Sequence, residues 1–277
     1  MIVVRLFLAL LAIVFLPLRL LRRARAIPAG SYVHLSIEGP IADMVSPRRF
    51  FAEIFARKHT TSLHLVARLV DALVADAQVK GIVVTIRGIG GGMASATSLR
   101  QQLARARDAG KEVVVVLPLG GDTTEVYVAS VAHRILVGPQ STLAPVGFSR
   151  SIRYLRRVLD KAGVEPDVIA CGKYKSAGEQ IMLDKMSDAQ REQLEAVFTV
   201  FHDEVVDALA SGRKIDRDKA IALLDDAPYR AERAKEVGLI DGAAYEDEIP
   251  GLLGTQTSPA RLVDAPSYLR VRTEPLI

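Results

Sequence analysis

Gly81-Ile82-Val83-Val84-Thr85-Ile86 is a continuous apolar run that gives way to a cluster of glycines, Gly88, Gly90, Gly91 and Gly92. A run without polar alternation is the pattern of a strand covered on both faces. On either side of it the period becomes helical. Upstream, Thr61 or Ser62 is placed to cap a helix that carries Leu65, Leu69, Leu73 and Val74 on one stripe. Downstream, a helix through Leu99, Leu103 and Ala106 ends at Gly110-Lys111, and a second buried run follows at 113–117. The alternation continues with a helix around 126–132, a strand at 134–137, a helix at 151–163 and a strand at 167–170. Before all of these, 32–37 alternates as a short strand that stops at Gly39-Pro40. Strand–helix repetition with buried strands predicts an α/β fold on a largely parallel sheet.

The C-terminal part continues with a helix from 187 to about 211, whose apolar face is Leu194, Val197, Phe198, Phe201, Val205 and Leu209. A short helix capped by Gly238 and a last strand at 239–241 follow. Beyond Glu246 the pattern is weak, with one more strand expected over Ser267-Tyr268-Leu269-Arg270-Val271. The domain reading is an anchor with a basic flank at 1–27, a single body at 28–247 and a tail or linker at 248–277.

With 277 residues the chain can bury a full core. Its net charge is +4, and much of the excess lies in Arg19, Arg22, Arg23 and Arg25. The body is near neutral, which gives little support to a nucleic-acid partner. The single cysteine, Cys171, excludes an internal disulfide and reads as a small buried apolar residue. The five histidines show no ligand spacing, so no metal or other cofactor is expected.

The first 21 residues are almost wholly apolar, interrupted by Arg5, Pro17 and Arg19. That is a marginal single crossing, since a span needs about 20 apolar residues. The arginines follow the apolar run rather than precede it, which favours an uncleaved anchor over a cleaved signal. They would hold the C-terminal side in the cytoplasm, and the side of the soluble body stays open. Phe50, Phe51 and Phe55, interleaved with Arg48, Arg49, Arg57 and Lys58, read either as an amphipathic stretch on the membrane surface or as a loop.

The most specific chemical signal is Cys171-Gly172-Lys173-Tyr174-Lys175-Ser176-Ala177-Gly178-Glu179, running on to Asp184, Met186, Ser187 and Arg191. A lysine that acts as a base must lose its proton near neutral pH, which takes a dry or positively biased setting. Lys173 is placed to supply that bias for Lys175. The stretch resembles the lysine motif of the signal peptide peptidase SppA family, membrane proteases with a serine nucleophile and a lysine base. The resemblance implies that Lys175 is the general base and that Gly91 and Gly92 form the oxyanion turn. The family's nucleophile motif is Ser-Gly-Gly-Tyr-Tyr-Leu-Ala-Ser, and the matching stretch is Thr123-Thr124-Glu125-Val126-Tyr127-Val128-Ala129-Ser130. Thr123 therefore stands at the nucleophile position, where its β-branch and its aptitude for helix capping favour a cap.

The likeness runs from about Tyr32 to Asp241 and is to the N-terminal half of the family's tandem form, which supplies the lysine while the other half supplies the serine. It implies a ClpP/crotonase-like α/β spiral with buried parallel strands, preceded by an N-terminal apolar helix. It also implies peptide substrates such as signal peptides, a membrane setting, and homo- or hetero-oligomers with a serine-bearing half. Two other roles stay open: a catalytically inactive scaffold subunit, and an acyl-CoA-binding protein on the same spiral.

Overall fold

The computed structural model describes residues 27–44 and 61–273. The expected apolar helix, apart from Ile27, and the stretch around Phe50 to Phe55 lie outside the described residues. The chain divides into two units, residues 1–146 with 208–277, and residues 147–207.

The elements in chain order begin with β1 (Ser31–Pro40), α1 (Leu63–Ala75), β2 (Val79–Gly90) and α2 (Met93–Asp108). Next come β3 (Glu112–Leu117), β4 (Gly120–Asp122), α3 (Thr123–Ala129), β5 (Arg134–Val137) and β6 (Thr142–Ala144). The middle of the chain holds α4 (Arg156–Lys161), α5 (Glu179–Met182) and α6 (Asp188–Arg213). Then follow α7 (Arg217–Asp225), β7 (Tyr229–Arg230), α8 (Ala231–Glu236) and β8 (Gly242–Ala243). The last are α9 (Ile249–Leu253), β9 (Leu262–Asp264) and α10 (Ala265–Thr273).

The first unit is built on a six-stranded sheet, ordered β8-β5-β3-β2-β1-β9. Every pairing in it is parallel. Its two central strands are the apolar runs of the sequence, and Ile82, Val83, Val84, Ile86 and Val113 to Leu117 are all buried. A strand so covered must have apolar side chains on both faces, which is why no alternation shows. On one face Tyr32, Val83, Val114, Val116 and Leu136 form a cluster with Ala244, Ile249 and Leu253. The expected α/β class with buried parallel strands is what this unit shows.

Helix α1 buries Val66, Leu69, Val70 and Leu73, the i, i+3, i+4, i+7 positions of one face. The stripe expected through Leu65 and Val74 is displaced, with Val74 44% exposed. Both stripes are apolar in sequence, and packing selects between them. Ser62 caps this helix as expected, its Oγ accepting from the Leu65 N–H at 3.2 Å.

The stretch expected as a tail is part of the sheet. Leu262 to Asp264 pair in parallel with Tyr32 to His34, making β9 the edge strand. The strand expected over 267–271 is instead helix α10, with Pro266 in its first turn, where proline's fixed φ suits a helix start. Tyr268 is fully buried and its hydroxyl donates to the Ala72 carbonyl at 3.0 Å. The strand expected at 239–241 lies just downstream as β8, and Gly238 (φ +81°) ends α8 as read.

A small second sheet, β4-β6-β7, sits in the same unit. It pairs β4 with β6 in parallel and carries the chain from β3 to the start of α3. Gly120 has φ +82°, and a Cβ there would lie 2.0 Å from the Thr142 carbonyl oxygen, so only glycine permits this approach.

In the second unit, helix α4 is shorter than the expected 151–163. The strand expected at 167–170 does not form, and Ile169 is 98% exposed. No described strand pairs with it, and an unpaired strand leaves its ladder unsatisfied. Phe148 and Phe201 pack with ring centroids 5.5 Å apart. On α6 the expected apolar face is only partly covered, and Val197 is exposed.

Candidate active site

The glycine turn follows β2 directly. Gly91 has φ +131°, a conformation that favours glycine, and Gly92 is the N-cap of α2 with no side-chain capping bond. Both are exposed. Gly90 is held tightly against β1, where a Cβ would lie 2.8 Å from the Pro40 nitrogen. The turn therefore presents backbone at the start of a 16-residue helix, where N–H groups lack intrahelical partners.

Helix α3 begins with Thr123, but Asp122 caps it. The Asp122 carboxylate accepts from the Thr124 N–H at 2.8 Å, and Glu125 completes a capping box by accepting from the Asp122 N–H at 3.0 Å. The cap expected of Thr123 is therefore one residue upstream, because a carboxylate outcompetes a β-branched hydroxyl for this place. Thr123 is the first helical residue and only 3% exposed.

Glu125 is the site residue whose part the sequence reading did not foresee. It is 5% exposed, and its second oxygen accepts from the Ile89 N–H at 2.7 Å, immediately before the glycine turn. Burial raises its pKa, and the Asp122 side chain raises it further, while the Ile89 N–H opposes them. Asp122 is shifted the other way, chiefly by its hydrogen bond from Glu125. The two neighbouring carboxyls are thus shifted in opposite directions, Glu125 up and Asp122 down.

Tyr127, Ser130 and Ser141 are structural. Tyr127 is fully buried, with its hydroxyl 3.2 Å from Thr97 Oγ1. Ser130 and Ser141 turn their hydroxyls back to the carbonyls of Tyr127 and Gly138, each at 2.7 Å.

In the second unit, Lys175 lies directly before a short 3₁₀ turn, Ser176–Gly178, and is exposed. Gly172, three residues earlier, has φ +98° and shapes the bend. Lys173, expected to repel the proton of Lys175, is instead paired with Glu192 at 3.1 Å. Its pKa is raised, first by the Tyr174 hydroxyl and then by Glu192, so its charge is compensated rather than directed at its neighbour. Glu179 accepts from the Ser187 hydroxyl at 2.8 Å. Cys171, expected to be buried, is exposed.

The structure thus groups Gly91, Gly92, Thr123 and Glu125 in one unit and sets Lys175 in the other. A family model described as Peptidase family S49 matches residues 105–256, more than half of the chain. The chain belongs to peptidase family S49. The S49 match contains the Thr123 and Lys175 stretches and begins after the glycine turn. Protease 4 of Salmonella typhi is 31% identical over 169 residues, which is 57% of this chain and 27% of that protein. The chloroplastic serine protease SPPA of Arabidopsis thaliana is 24% identical over 204 residues, 74% of this chain and 29% of that protein. The chain therefore spans less than a third of the length of these S49 relatives. Among solved structures, the 1510-N membrane-bound stomatin-specific protease aligns at TM-score 0.44 and 13% identity, over 85% of this chain and 98% of that one. That likeness is too distant to bear on function.

Proposed function

We propose that this chain is the lysine-bearing partner of a membrane-anchored S49 peptidase whose serine nucleophile comes from another polypeptide. The observation that carries this reading is the contrast between two positions inside the S49 match. Lys175 stands exposed in its motif, whereas the nucleophile position holds a buried threonine beside a carboxyl group. A base that is exposed in the single chain suits one that is dried only when a partner covers it.

In this mechanism Lys175 takes the proton of the partner's serine as that oxygen attacks a peptide carbonyl. Backbone N–H groups of a glycine turn, of the kind Gly91 and Gly92 form, hold the developing oxygen anion. Lys175 returns the proton to the leaving amine, then serves again as base when water attacks the acyl ester. Signal peptides in the membrane are the substrates that fit the apolar N-terminal segment, which would place this chemistry beside the bilayer.

The test is to purify the chain from detergent-solubilised membranes with whatever it retains and follow cleavage of a fluorogenic apolar peptide. Lys175→Ala and Lys175→Arg should each abolish turnover, by a factor of about 100 or more as for loss of a general base. The burial of Thr123 also favours a second reading, a silent scaffold. Turnover unchanged by both substitutions would establish that reading and overturn the first.

A further inference from the structure

A side-chain acceptor stands immediately before the glycine turn. Glu125, on the first turn of α3, places one carboxyl oxygen 2.7 Å from the Ile89 nitrogen and the other 3.0 Å from the Asp122 nitrogen. One bond reaches the strand end that leads into Gly90-Gly91-Gly92, and the other reaches the residue that caps α3. Gly121 packs against the same side chain: a Cβ there would lie 2.6 Å from Glu125 Cβ, which favours glycine at that position. Glu125 is nearly sealed from solvent, and both of its oxygens are engaged by backbone N–H groups. A short polar side chain at this place would reach only one of those donors, and a glycine would reach neither.

We propose that Glu125 is a positioning residue whose carboxyl fastens the end of β2, just before the glycine turn, to the head of α3. The fastening keeps the nucleophile position of this chain closed. The Ile89 N–H is held by a carboxyl oxygen tethered on α3. The consequence for catalysis rests on the lysine-partner reading above; the contact itself does not.

The test uses the whole chain and reads backbone amide exchange at Ile89 and Asp122 by NMR. In Glu125→Ala, protection at both amides should fall about tenfold, as for a lost buried hydrogen bond. Sodium formate, which replaces the missing carboxyl, should restore it, whereas sodium chloride at the same ionic strength should not. Wild type should respond to neither salt. Unchanged protection in Glu125→Ala, or equal effects of formate and chloride, would overturn the proposal. Should Glu125→Ala fail to fold, Glu125→Gln keeps the shape and one acceptor oxygen. Loss of protection at either amide then supports the fastening, and loss at neither overturns it. These readouts do not depend on turnover, so the lysine-partner reading and this one fail separately.

Discussion

At the scale of single residues, the Asp122–Glu125 pair sets the chemistry of the α3 head. Asp122→Ala removes the cap and should lower stability by about 0.5–2 kcal/mol in a denaturant titration. An effect near zero would mean that the cap contributes nothing. Glu125 also sets a pH dependence whose sign follows from its raised pKa. The folded chain holds that proton more tightly than the unfolded chain, so the contribution is full below the ordinary glutamate range. It is lost as pH rises through the raised folded value. The stability of wild type relative to Glu125→Gln should therefore decline from acid toward neutral pH, read as the difference in urea midpoints. A flat difference would contradict the raised pKa of Glu125. The contact of Glu125 with Ile89 was not legible in the sequence, because the two are 36 residues apart and invisible to local pattern.

At the scale of elements, β2 and β3 were legible because an apolar run in a two-faced parallel strand needs no context to be recognised. The C-terminal elements were not. The three residues of β9 acquire their meaning only from the edge of β1, and α10 from the surface of α1 that receives Tyr268. The stretch 167–170 shows the converse error, a strand-like pattern with no neighbour to pair with among the described residues. If α10 is part of the core, Tyr268→Ala should cost about 3–5 kcal/mol, the range for removing a large buried aromatic. A loss under about 1 kcal/mol would return 265–273 to the status of a linker. The neutralisation of Lys173 was not legible, because Glu192 reaches it from 19 residues away on another element.

At the scale of the whole molecule, S49 membership and the parallel α/β sheet fix the class, while the division of labour is the claim that needs testing. Within this chain Thr123 is buried and Lys175 is exposed, the contrast on which the proposed division of labour rests. Among the described residues no helix is long and apolar enough to cross a membrane. The proposed anchor rests on the sequence of the first 21 residues. The most direct measurement is to incubate the purified, folded chain with a serine-reactive fluorophosphonate and map any adduct by mass spectrometry. The account predicts no adduct on Thr123 or on any serine of this chain. A stoichiometric adduct mapped to Thr123 would show that the chain carries its own nucleophile, and would contradict it.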